Sequence, residues 1–306
     1  YPQSANFAEN TIVMMASSNN CQKCLLVAGK EKTESLKKFD GKLISEKNGF
    51  IKICPLNPEN ASVLREYFPW TAPISLRNRR TTIGCGDRLG LATPGHAMAV
   101  SGFKASPVFA QQSIRELTLT GRTYRQVVDS ATFLTFQSGY KDGFGADGDH
   151  LKTIKDIETA VDAGMPMITL DLSDVMLAVA ATWSLTQIDT EFAKFAEETR
   201  KSIEKTYFNK SFKAGKTNIK FTSVTAKRCA VMYLKAVDFA AEVNEFLKKR
   251  RGNEYDLEIS IDETTAPTLP EDHYFIASEL NRRKVKPNSV APRFIGEFQK
   301  AIDYIG

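Results

Sequence analysis

The chain has 306 residues, of which 42% are hydrophobic and 25% charged, and a formal net charge of +5. That apolar content can fill a core and excludes a disordered chain, and the length allows one large domain or two. No run of about 18 apolar residues exists, which excludes a membrane-spanning helix, and Tyr1-Pro2-Gln3-Ser4 does not open a charged-then-apolar signal segment, so a cytoplasmic location is expected.

Five cysteines in irregular spacing read as free thiols, because Cys21-Gln22-Lys23-Cys24 lacks the second pair that a structural zinc site needs. Without a secretory route, the sequons Asn60-Ala61-Ser62 and Asn209-Lys210-Ser211 carry no weight. The chain opens on Tyr1 and closes just after an apolar-periodic stretch, so it reads as a C-terminally incomplete fragment.

In chain order, short strands are expected at Cys24 to Ala28 and Phe50 to Cys54, with a helix near Asn60 to Tyr67. These form a small N-terminal α/β lead-in domain over 1–73, bounded at Trp70-Thr71-Ala72-Pro73, where a helix runs into a proline. Beyond it, strand patterns at Thr81 to Ile83, Pro107 to Ala110, Met165 to Leu170 and Tyr255 to Ile261 alternate with helical ones at Arg122 to Gln137, Ile154 to Ala163 and Glu271 to Arg283. Such alternation predicts parallel strands with crossover helices.

Two longer helical patterns, Thr190 to Tyr207 and Ala226 to Lys249, follow one another without a strand between them, so about 173–251 reads as a helical insertion. Five or six βα units over 74–306 fit a TIM-like (β/α) barrel, incomplete in this chain, with an open doubly wound sheet as the alternative. The basic run Lys248-Lys249-Arg250-Arg251 closes the second helix and complements its dipole. A nucleic-acid patch would need aromatic interleaving and a wider basic face, so neither nucleic acid nor membrane is expected as a partner. Oligomeric state is not legible.

The segment Gly143-Phe144-Gly145-Ala146-Asp147-Gly148-Asp149-His150 is the most informative, because it sets carboxylates and an imidazole beside glycines. Neighbours on a regular strand point to opposite faces, so Asp149 and His150 can reach one ligand only if the strand ends there, an ending that Gly148 would permit. In Tyr255 to Glu263, Leu257, Ile259 and Ile261 share one face while Glu258, Ser260 and Asp262 share the other. A carboxylate row pointing into a barrel needs a cation, metal or substrate, which singles out Glu258.

Asp147, Asp149, His150 and Glu258 together suit one divalent cation and an acid/base pair. Arg88 and Arg293, each beside a Gly- or Pro-bounded loop, could clamp a carboxylate. The run Gly84-Cys85-Gly86-Asp87-Arg88-Leu89-Gly90 lacks dinucleotide spacing and is followed by Thr93-Pro94-Gly95 instead of opening a helix directly, so no nucleotide cofactor is expected. His96 reads as a ligand or a loop cap, and His273 as solvent-facing in a first helical turn.

Six runs taken together resemble the tagaturonate epimerase family: Gly86-Asp87-Arg88-Leu89-Gly90 with Thr93-Pro94; Phe109-Ala110-Gln111-Gln112-Ser113 with Arg115-Glu116; Thr120-Gly121-Arg122-Thr123; Gly143 to His150; Asp262-Glu263-Thr264; and Ala291 to Phe298 with Asp303-Tyr304. The resemblance implies a metal-dependent isomerase of barrel-like fold that interconverts D-tagaturonate and D-fructuronate in hexuronate catabolism. It implies Asp149 as proton acceptor, Glu258 as proton donor and His150 as a metal ligand, with a sugar acid as partner; Arg88, Gln112 and Arg293 are the expected substrate-binding residues. The cofactor implied is a divalent cation, which could be zinc, manganese, nickel or iron. The family's further His-Ser-Gly-Ser-Asp-Lys run, expected to carry another ligand, would lie beyond residue 306.

The carbon at which the two uronates differ is two bonds from both the ketone and the carboxylate, so its hydrogen is not acidified. Two routes remain, transient oxidation by a bound nicotinamide or retro-aldol cleavage and re-addition, and because the nicotinamide fingerprint is missing the second is the expected one. A related metal-dependent sugar-acid isomerase or aldolase, or a non-catalytic sugar-acid-binding barrel, are the alternatives.

Overall fold

Strict alternation builds the first sheet. In Thr11–Ser17, residues Thr11, Val13 and Met15 are buried while Ile12 and Met14 are half-exposed, the period of a strand with one face on a core. The computed structural model describes residues 1–45, 49–262, 264, 266–296 and 303–305; Glu263, Glu297 and Phe298 of the runs above lie outside the described residues. The chain divides into two compact units, Tyr1–Ile168 with Glu254–Asp256, and Thr169–Asn253 with Leu257–Gly306.

The first unit opens with β1 (Asn6–Ala8), β2 (Thr11–Ser17), β3 (Lys23–Gly29), α1 (Glu34–Lys38), β4 (Lys42–Ser45), β5 (Phe50–Cys54) and α2 (Pro58–Tyr67). The strands form one antiparallel sheet in the order β1-β2-β3-β5-β4. Helix α2 starts where Asn57 accepts the Asn60 N–H and Pro58 occupies the first turn, where no amide is needed. Asn60 itself is fully buried, donating to the carbonyls of Asp40 and Pro55 and accepting the Asp40 N–H, so this sequon is closed to solvent.

The unit continues through β6 (Thr82–Gly84), α3 (Thr93–Val100), β7 (Ser106–Ser113), α4 (Ile114–Thr120), α5 (Tyr124–Ser138), β8 (Gly145–Leu151), α6 (Ile154–Asp162) and the start of β9 (Met167–Asp171). β6 pairs with β7 and β7 with β8, all parallel, and helices make each crossover. Phe133 and Phe136 of α5 join Val13, Met15, Leu25, Val27, Phe39 and Leu64 in one core, each phenylalanine contributing about 2 kcal/mol by burial. An ion pair from the part-buried Arg65 to the buried Asp129, at 2.8 Å, also ties α2 to α5. The two sides of Trp70–Pro73 thus pack as parts of one unit.

The second unit holds the end of β9, then α7 (Leu185–Phe192), α8 (Glu197–Tyr207), β10 (Lys210–Ala214), β11 (Thr217–Phe221), α9 (Ser223–Arg251), β12 (Asp256–Ser260, from Leu257), α10 (Pro270–Arg282) and β13 (Ser289–Ala291). α9 packs against α7, α8 and α10, and its last turn is Lys248 to Arg251, the basic terminus expected. β12 and β13 pair in parallel, and Leu172 N–H at the end of β9 reaches the Ser260 carbonyl at 3.3 Å. Inside this unit the Tyr207 hydroxyl donates to Glu279 at 2.8 Å, and Arg283 binds the other Glu279 oxygen at 2.7 Å.

Four expectations are corrected. The pattern Thr190 to Tyr207 is two helices, α7 ending at Phe192 and α8 starting at Glu197, with the rings of Phe192 and Phe195 5.9 Å apart at the break. A strand hairpin, β10–β11, separates the long helices. Thr93-Pro94-Gly95 does open a helix, α3, with Pro94 in its first turn. Sheet strands begin at Asn6, well before Cys24.

Candidate active site

Parallel strands bring their carboxyl ends to one edge, the edge where α/β folds place ligands. In the first unit, the loop after β6, the start of α4 after β7 and the last residues of β8 meet there. On β8, Asp147 and Asp149 share a face, and in register beside them on β7 stand Gln111 and Ser113. The Gln111 amide donates to Asp147 at 3.3 Å and to Asp149 at 3.2 Å.

His150 solves the problem of neighbouring residues on a strand by its backbone, not through Gly148. Its φ is +51°, in the left-handed region that costs a non-glycine residue about 1–2 kcal/mol. The turn brings its Nε2 within 3.8 Å of Asp149 Oδ1. Gly148 lies inside the strand, and a Cβ there would stand 3.0 Å from Ala160 Cβ and 3.0 Å from Leu151 Cδ1, so its role is to let α6 approach.

Asp149 is 5% exposed. Burial pushes its carboxyl above the ordinary range, an effect opposed by His150 and Arg88, reinforced by Glu116 and opposed again by the Gln111 bond. A carboxylate raised toward neutrality is a competent general base.

Arg88 spans two carboxylates: one nitrogen pairs with Glu116 and the other lies 3.7 Å from Asp149, while about a third of its side chain (35%) remains exposed. Glu116 also completes a capping box with Ser113 at the start of α4. The loop carrying Arg88 is fixed by Asp87, whose carboxylate accepts the N–H groups of Gly90, Leu91, Ala92 and Thr93 and the Thr93 hydroxyl, all at 2.8–3.0 Å. Burial alone would push Asp87 up, but the bonds from Leu91, Thr93 and Ala92 hold it below the usual carboxylate range.

Of the residues singled out in the sequence, the first unit brings together Asp147, Asp149, His150 and Arg88. Gln112 is fully buried with its amide end against the carbonyl oxygens of Arg88 at 2.9 Å and Gln111 at 3.2 Å, two acceptors that only its NH2 group can satisfy. Glu258 and Arg293 belong to the second unit. Glu258 is half-buried on β12, opposite Ser289 of β13, whose hydroxyl donates to it. Arg293 is exposed, and its backbone exchanges hydrogen bonds with Thr268. His96 lies on α3 and not in a loop, and His273 is exposed in the first turn of α10.

Asp87, Gln111, Glu116 and Arg122 have no role assigned from sequence, although all four lie in the quoted runs; Asp87 binds amides three to six residues on, and the site partners of the other three are distant in the chain. His150 and Asp149 supply an imidazole and a carboxylate fit for one edge of a divalent cation. Among the described residues no group of three His, Cys, Asp or Glu side chains is gathered closely enough to hold a metal ion alone. All five cysteines are free thiols, and no helix among the described residues is long and apolar enough to cross a membrane.

Parallel strands with a polar, charge-bearing cluster at their carboxyl ends define an α/β protein of the kind that binds its ligand at that edge. The profile of the tagaturonate epimerase family, UxaE, matches residues 1–306. The tagaturonate/fructuronate epimerase of Thermotoga maritima is 39% identical over 285 residues, which cover 93% of this chain and 58% of that protein. Crystal structures of the fructuronate-tagaturonate epimerase UxaE from Cohnella laeviribosi, native and with one glycerol, superpose with a TM-score of 0.94 at 42% identity, over 100% of this chain and 61% of theirs. The chain belongs to the tagaturonate epimerase family, and it spans about three fifths of the length of these relatives.

Proposed function

We propose that this chain carries the acid–base machinery of a cytoplasmic, metal-dependent epimerase that interconverts D-tagaturonate and D-fructuronate in hexuronate catabolism. The observation that carries the reading is the buried Asp149 carboxylate set against His150 by a left-handed backbone at the carboxyl end of β8, in a member of this family. The parallel strands are read as part of a TIM-like (β/α) barrel.

A divalent cation, held by His150 with Asp149 alongside and by further ligands that the resemblance puts downstream of residue 306, would supply Lewis-acid polarisation of the substrate ketone. Asp149 takes the proton from the hydroxyl on the carbon to be inverted as its bond to the keto-bearing half breaks. The aldehyde half turns, the bond re-forms on its other face, and a proton returns to the new alkoxide. The resemblance alone gives that last role to Glu258. Arg88, with its exposed guanidinium edge beside Asp149, receives the uronate carboxylate in this reading, and Arg293 is a second candidate.

The test is to incubate the protein with D-fructuronate and a divalent cation and to resolve the products by NMR. Tagaturonate is expected, with a loss of at least about 100-fold in Asp149→Asn. Accumulating aldehyde fragments would assign an aldolase instead, and unchanged turnover in Asp149→Asn would overturn the acid–base assignment. Elemental analysis of His150→Ala is expected to show lost metal.

A further inference from the structure

Three runs that are far apart in the sequence converge on one arginine. Arg88 comes from the first run, Glu116 from the second and Arg122 from the third. Arg122 Nη1 donates to the Arg88 carbonyl at 2.8 Å, while its Nη2 donates to Ser130 Oγ at 2.8 Å and to the Gln126 carbonyl at 3.2 Å. The guanidinium is thereby locked on α5 and points back at the Arg88 backbone. The Gln112 amide end lies 2.9 Å from the same carbonyl. Glu116 grips the other end, the Arg88 guanidinium itself.

The packing leaves no latitude. Gly90, at φ +69°, has Ser130 Cβ 2.8 Å and Arg122 Nη2 3.1 Å from the place a Cβ would occupy, so the loop lies directly on the Arg122 side chain. An arginine that only had to make a surface ion pair would not need its carbonyl held by two donors, one of them, Gln112, fully buried. Fixing backbone and head group together removes the rotamer freedom that a flexible arginine would lose on gripping an anion.

We propose that Arg122 and Glu116 are positioning residues: Arg122 fixes the backbone of Arg88 and Glu116 its guanidinium, so that Arg88 meets the carboxylate of a sugar acid in one preset orientation. The inference rests on the reading of the substrate given above.

Its test is a double-mutant cycle on fructuronate affinity, measured calorimetrically with the unaltered chain, Arg122→Met, Arg88→Lys and the pair, after circular dichroism shows each folded. Arg122→Met is expected to weaken binding by about tenfold, and Arg122→Lys, which keeps one donor for the Arg88 carbonyl, by clearly less. In the Arg88→Lys background, Arg122→Met should add almost nothing, a coupling that general loosening of the fold would not give. Glu116→Gln should behave like Arg122→Met. Additive effects, or unchanged affinity in Arg122→Met, would overturn the proposal.

Failure of the unaltered chain to bind fructuronate would count against the substrate reading instead. Hydrogen exchange then decides the positioning without ligand: the amides of residues 88–93 should exchange about tenfold faster in Arg122→Met, and unchanged exchange overturns it.

Discussion

Replacing Asp87 by Asn tests how firmly the Arg88 loop is held. In the native chain Oδ1 accepts the Gly90 and Leu91 N–H groups, and Oδ2 accepts those of Ala92 and Thr93 together with the Thr93 hydroxyl. An asparagine keeps one oxygen. If it serves Gly90 and Leu91, its NH2 group confronts two backbone N–H donors, while the Thr93 hydroxyl can rotate to accept. An orphaned buried amide at Thr93, at about 1–3 kcal/mol, and a part-buried one at Ala92, costing somewhat less, make a loss of about 3 kcal/mol.

Hydrogen exchange of residues 90–93 should therefore accelerate by about 100-fold, since each 1.4 kcal/mol is a factor of ten. The effect has a definite pH course. The folded-state acid constant of Asp87 is depressed, so its stabilisation is complete above the unfolded value of about 3.9 and disappears as pH falls through the lower folded value. Native and Asp87→Asn chains should converge in stability below that range. Exchange within threefold of the native rate at pH 7, or a difference that persists undiminished in acid, would refute the assignment of Asp87 as the loop's anchor.

Gly90→Ala should lower stability by about 2 kcal/mol or more, read as a drop in thermal midpoint, whereas Gly95→Ala, on α3 with nothing within 4 Å of its Cβ position, should raise it by about 0.5–1 kcal/mol. His150→Gly relieves the left-handed strain and should stabilise the chain by about 1 kcal/mol while reducing metal content; a lower midpoint would show that the imidazole is a packing element. Tyr207→Phe removes a donor from buried Glu279 and should cost about 2 kcal/mol in urea unfolding.

Local signals gave the strands β7, β9 and β12 and the helices α5, α6 and α10 to within a few residues, because caps such as Thr123 and Thr153 and apolar periodicity act over one or two turns. What local rules missed was set at longer range. α3 has no side-chain cap from Ala92; its first amides are held by Asp87, five and six residues upstream, which no local capping pattern announces. The break before α8 carries neither Gly nor Pro, so no local breaker announces it. The hairpin β10–β11 was legible in hindsight, since Gly215 at φ +59° sits between Phe212 and the alternating Ile219 and Phe221.

In the candidate site, Asp149 and His150 stood out because their residue types are chemically unusual beside glycines. Gln111, Glu116 and Arg122 are ordinary polar residues on strand and helix ends. Their importance lies in site partners 28 to 38 positions away, from Glu116 with Arg88 to Gln111 with Asp149, whose |i−j| is 38. Such pairings exist only once the parallel register is formed.

The absent side chain at Gly148 has a mechanical consequence. With α6 lying flush on the strand at Gly148, the backbone just before Asp149 and His150 is backed by packed side chains. Adjustment to an incoming molecule must then fall to the loops in front, so affinity changes should track those loops while the strand end keeps its geometry throughout a turnover.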